Sequence, residues 1–166
     1  MTPNQLKEVF YEFGADHYMI NTCVYCLPEQ VDRQDFTDGF LMWFYNKGVS
    51  VSGTAESAEI SVAFMDVVSK DLDNEKDALS DSDKLVQDFC AYLDGVQYDY
   101  GFQFERSVEA SNFIHRAGSD WVGLSLDVNL RHKIEYDGCV VPSWAYLADH
   151  EGNFVVDHEM NRILVE

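Results

Sequence analysis

Five carboxylates crowd one short stretch of this 166-residue chain: Asp66, Asp71, Asp73, Glu75 and Asp77. Acidic side chains so close together can hold a divalent cation or move protons, so residues 65–93, MDVVSKDLDNEKDALSDSDKLVQDFCAYL, are the first place to look for chemistry. A calcium loop of the EF-hand type needs Gly at its sixth position and Glu at its twelfth. Counted from Asp71 those positions are Lys76 and Ser82, and both fail. Metal-dependent nucleases gather carboxylates from several strand ends rather than from one turn. Asp and Glu at a helix start also have a plainer use, complementing the helix dipole and the unpaired backbone donors, with Asp73 or Asn74 as cap. Capping is the preferred reading. A metal-dependent enzyme working through residues 66–77 is the alternative.

The other reactive side chains form no local signature. Cys23-x-x-Cys26 has no second CxxC to complete a zinc site, and TCVYCLP reads as a strand running into proline rather than as the helix-opening redox motif. With Cys90 and Cys139 these are expected to be reduced thiols packed in the core. The five histidines, His17, His115, His132, His150 and His158, are scattered. His158-Glu159 starts an HExxH, but its fifth position is Arg162, and there is no G-x-S-x-G, Walker or G-x-G-x-x-G motif. The expectation is no catalytic residue, no metal site and no cofactor.

The elements that would position these residues follow from periodicity. Thr2 and Pro3 open a helix whose Leu6, Val9, Phe10 and Phe13 share a face, with Gly14 or the stretch just after it as its end. A strand over 18–27, a polar loop over 28–39 and a buried aromatic strand over 40–45 follow. Gly48 and Gly53 mark 46–53 as a turn or hairpin region. Ile60, Val62 and Phe64 alternate along a strand from Glu59 that enters the acidic turn. The next helix has an apolar stripe of Leu79, Val86, Phe89, Cys90 and Leu93 and a C-cap at Gly95. Two strands, 98–108 and 121–134, close the domain as a long hairpin about a loop over 109–120 that holds Arg116 and Gly118. Val122, Leu124, Leu126, Val128 and Leu130 give the second a buried face, while Trp121, Gly123, Ser125 and Asp127 face water. The predicted fold is α+β: a small, mainly antiparallel sheet packed with two helices, a long β-hairpin and a C-terminal extension. Residues 1–142 form the domain and 143–166 the extension, read as a hairpin or arm.

Hydrophobic residues make up 46% of the chain and aromatic ones 14%, which places it among globular proteins. No signal-peptide pattern opens it and no apolar run is long enough for a bilayer, so a soluble protein made in a cytoplasm is expected. The net charge of −19 opposes nucleic-acid binding, which needs Lys and Arg against phosphates. Such acidity suits solubility, a basic partner, or a pore wall past which DNA slides; an acidic DNA mimic is a further alternative. Trp144, Tyr146 and Phe154 lie in the extension, where apolar side chains need the body of the chain or a neighbouring subunit to cover them. With Arg116 they are the candidate subunit-interface residues.

The segment around the acidic turn also resembles a family. After 61–64, SVAF, come Met65-Asp66-Val67-Val68, Lys70-Asp71, Asn74-Glu75 and Leu79-Ser80-Asp81. Their order and spacing are similar to the tail terminator, tail completion or neck-ring proteins of tailed phages and prophages of Bacteroidetes-type bacteria. A second patch, from Trp121 to Tyr136 and Cys139-Val140-Val141-Pro142, and the early Met19-Ile20-Asn21 fit the same pattern, so the resemblance covers most of 1–142. It implies a small α+β virion subunit that forms a six- or twelve-fold ring at the head–tail junction, in the tail, neck or collar. Its neighbours would be neck, portal or tail-tube proteins, DNA would pass through an axial channel without specific binding, and assembly would occur in the host bacterial cytoplasm. The family offers no catalytic residues to transfer. The cysteines and 143–166 depart from its pattern, the latter leaving long and short tails open.

Overall fold

The computed structural model describes residues 3–31, 39–68, 74–105, 108–117 and 119–133. They belong to one compact unit, Met1–Ile134. The expected extension, 143–166, lies outside the described residues.

Helix α1, Pro3–Asp16, buries Leu6, Val9, Phe10 and Phe13 at the predicted spacing. It ends two residues after Gly14, at Asp16, within the stretch the sequence marks. A Cβ at Gly14 would sit 2.7 Å from both Cβ and Sγ of Cys23, so the missing side chain lets the helix lie close on the sheet. Strand β1, Ile20–Tyr25, runs parallel to β2, Phe40–Ser52, and the connection between them includes a short helix α2, Pro28–Val31. β2 then pairs antiparallel with β3, Ala55–Val67, about a two-residue turn whose Gly53 takes φ +61°.

The region over 46–53, expected to be a turn or hairpin, is one arm of the β2–β3 hairpin, with Gly53 at its turn. Val49 and Val51 alternate with serines, a pattern that suits an extended chain, and Gly48 marks a bulge instead of a break. At that bulge Asn46 Oδ1 accepts the Gly48 N–H at 2.8 Å, and the register shifts by one residue.

Helix α3, Glu75–Tyr100, outruns the predicted cap at Gly95 and ends at Gly101, in the left-handed region at φ 69°. A single helical glycine costs about 1 kcal/mol against alanine, which the buried stripe outweighs. That stripe is Ala78, Ser82, Leu85, Val86, Phe89 and Leu93. Because the helix takes up residues 98–100, the strand predicted over 98–108 shrinks to β4, Phe102–Phe104. The loop predicted over 109–120 is instead β5, Ala110–Ala117, and it forms the hairpin with β6, Ser119–Lys133.

The six strands make one sheet in the order β1-β2-β3-β6-β4, with β5 also on β6, and only β1–β2 is parallel. The fold is α+β, as the sequence predicts. α1 and α3 share one face, against Met42, Phe44, Ile60, Val62, Phe64, Leu126, Val128 and Leu130. The Phe89 ring lies 5.2, 5.0 and 5.5 Å from those of Phe10, Phe13 and Phe64. Each fully buried Phe or Leu contributes roughly 1.5–3 kcal/mol, so this face dominates stability. No helix among the described residues is long and apolar enough to cross a membrane.

Candidate functional site

The acidic turn joins β3 to α3. Asn74 holds the N-cap position, but its side chain makes no capping bond; Nδ2 donates instead to the Val67 carbonyl at 3.2 Å, tying the helix start to the strand end. Glu75 and Asp77 occupy the first turn, where they complement the dipole. Asp66 is half-buried, and burial pushes its carboxyl up while the Val67 N–H at 2.8 Å opposes the shift. Asp71 and Asp73 lie outside the described residues. Among the described residues no three His, Cys, Asp or Glu gather as a metal site. Ser82, where a calcium loop would need its glutamate, is fully buried and shares its hydroxyl proton between the carbonyls of Ala78 at 2.6 Å and Phe64 at 3.2 Å. It fastens α3 onto β3.

The thiols pack rather than react. Cys23, Cys26 and Cys90 are free, and burial raises all three, Cys23 to about 12, so none is a thiolate near neutrality. The Cys26 carbonyl accepts the Trp43 indole N–H at 2.9 Å. His17 has both ring nitrogens engaged: Nδ1 accepts the Met19 N–H at 3.3 Å and Nε2 faces Asp88 at 3.2 Å. His132 is buried 3.7 Å from Glu56, and desolvation lowers its pKa. Cys139, His150 and His158 lie outside the described residues.

The more informative surfaces belong to the sheet. Its second face, without α1 or α3, has two unlike ends. One end is apolar: Leu41, Trp43, Ala63, Met65 and Trp121 cluster with Cys26. Trp121 and Gly123, predicted to face water, are buried there. A Cβ at Gly123 would run into the Phe64 carbonyl, so glycine permits the close approach of β6 to β3. The other end is polar. Lys47, the residue extruded by the bulge, bridges Glu59 at 2.7 Å and Asp127 at 2.8 Å, and both carboxylates raise its pKa. Beyond it an open groove of about 580 Å³ is lined by Ser50, Ser57, Gln103, Asn129 and Arg131 among others.

Apolar side chains also stand exposed at the sheet margins. Val49 and Val51 in the outer half of the β2–β3 hairpin are 50% and 63% exposed, and Ile114 on β5 is 52% exposed. Nothing in the sequence singled them out, since Val49 and Val51 fall in the region read as a turn or hairpin and Ile114 in the predicted loop; the Val-Ser-Val-Ser alternation was the available signal. Of the interface residues proposed from sequence, Arg116 falls on β5 opposite Asp120 rather than in a loop. Trp144, Tyr146 and Phe154 lie outside the described residues. The surfaces described offer an edge and a face for contact.

The chain matches no protein-family model and no curated protein sequence.

Proposed function

We propose that this chain is a structural subunit of a tailed-phage particle, forming a ring around the DNA channel at the head–tail junction as a tail terminator, neck or collar protein. The reading rests on the family resemblance carried by residues 61–81 and 121–142. The observation that supports it is the outer half of the β2–β3 hairpin, where Val49 and Val51 stand in water on an arm of paired strands. Apolar residues on an extended arm suit a contact with a neighbouring subunit. The net charge of −19 suits a channel past which DNA slides without adhering.

Immunogold or cryo-electron microscopy of purified particles tests the reading. Label at the neck or tail end is expected, and particles that lack the protein altogether would refute it. Disruption of its gene should leave filled heads and tails that fail to join or to finish. A melt with added Mg²⁺, Mn²⁺ or Ca²⁺ separates the metal-enzyme alternative, since a bound ion raises the midpoint. No shift is expected at millimolar ion.

A further inference from the structure

Two of the sheet's outer edges share properties that no other part of the described residues combines. β1 covers β2 only as far as Phe44, so residues 45–52 of β2 have β3 on one side and, among the described residues, no strand on the other. Among the described residues β5, Ala110–Ala117, likewise pairs only with β6. Each free edge is eight residues long. They occupy diagonally opposite corners: the hairpin tip meets the end of β6 at Lys133, whereas β5 runs along its start, from Ser119 to Leu126. β1 offers less, because the Tyr11 hydroxyl already accepts the Tyr25 N–H at 3.3 Å.

An unpaired edge is a template for another strand, and monomeric proteins usually block it with charge, proline or a bulge. Here the bulge at Gly48 blocks only the beginning. Lys47 is turned across the sheet onto Glu59 and Asp127, and Val49-Ser50-Val51-Ser52 carries neither charge nor proline. The chain holds 30 acidic residues against 11 basic ones, yet neither 45–52 nor 110–117 contains an Asp or Glu. Two copies, each at −19, repel across most of their surfaces, and these edges are where backbones can approach without opposing carboxylates.

We infer that the free edge of β2 in one copy pairs with the free edge of β5 in a second copy, extending the sheet from subunit to subunit. Pairing unlike edges is a heterologous contact, which propagates and closes when the rotation allows. The inference deepens the ring reading and rests on it for closure; the edge pairing itself needs only two copies of this chain.

Val51→Glu and Ile114→Glu place a carboxylate on each edge at positions already exposed in the subunit, and circular dichroism checks that both remain folded. Native mass spectrometry and sedimentation velocity, at about 0.15 and 0.5 M salt to vary the screening, read the assembly. The unaltered chain is expected to form closed oligomers, each variant alone to associate at least about tenfold more weakly, and Val51→Thr to assemble as the unaltered chain does. A mixture of the two Glu variants retains one intact junction, so it should form one-to-one dimers that grow no further. Either variant assembling normally, the mixture remaining monomeric, or the unaltered chain remaining monomeric would overturn the inference. The ring reading fails separately, through absence of the protein from particles.

Discussion

Phe64 and Met65 are neighbours on β3 and both are buried, yet they belong to different faces of the sheet. Phe64 enters the aromatic layer under α1 and α3, where Phe10, Phe13 and Phe89 interlock. Met65 joins a small cluster around Trp43 and Trp121, and the same face turns polar within a few residues, at Lys47, Glu59 and Asp127. Two helices supply a continuous apolar cover to the first face, so each side chain there has partners on several elements. The second face divides its strands between a small hydrophobic cluster and a wet surface, so less stability is invested per residue and more surface is left for contact.

Truncation at the centre of the helix-covered face has the largest expected effect. Phe89→Ala should cost about 3–5 kcal/mol by urea or thermal denaturation, since it empties the point where three other rings meet. A loss below about 1 kcal/mol would break the contrast, because that is the scale of an exposed site. Gly14→Ala should cost about 1–3 kcal/mol as the added methyl presses on Cys23; a stabilised variant would mean that α1 can slide on the sheet. On the second face, Trp43→Phe removes the bond to the Cys26 carbonyl and should cost about 1–2 kcal/mol. A loss matching that of Phe89→Ala would make the two faces equal.

The alkaline limb sharpens the same comparison. Burial raises Cys23 from 9.0 to about 12 and Tyr92 from 10.0 to about 12, both on the helix-covered face. The folded chain keeps protons there that the unfolded chain releases, so this contribution is complete below pH 9 and is lost as the pH rises towards 12. Cys23→Ala should flatten the loss in a pH series of denaturation midpoints. In the intact protein Cys23 should resist alkylation at pH 8 until it unfolds. Smallest of all is Lys47→Ala at the polar end, where exposed ion pairs are weak and screened, and no resolvable change in melting temperature is expected.

Legibility followed how much of the physics was local. The stripe of Leu6, Val9, Phe10 and Phe13 and the alternation from Val122 to Leu130 are written at one period each, and both elements form where periodicity places them. Glycine misled at Gly48, read as a breaker, and at Gly95, read as a cap, and three glycines have three different physical roles. Gly14 serves a close approach, Gly48 a bulge, and Gly95 is carried by a helix whose buried stripe lies on other residues. Residues 110–117 read as a loop because Ser-Asn-Phe-Ile-His-Arg shows no strict alternation, yet pairing with β6 makes them a strand. The candidate contact edges were hidden for the same reason: an edge exists only relative to the strands that do or do not lie beside it.

By itself the sequence determined the α+β class, the patterned faces of its main helices and of β6, and a surface dominated by carboxylates, because period and charge are properties of the chain alone. Only the tertiary structure decided that Trp121 is buried, that Ser82 fastens α3 to β3, and that Val49, Val51 and Ile114 stand on open margins. Each of those outcomes depends on which strand arrives next to which, and that is fixed by packing between residues far apart in the chain.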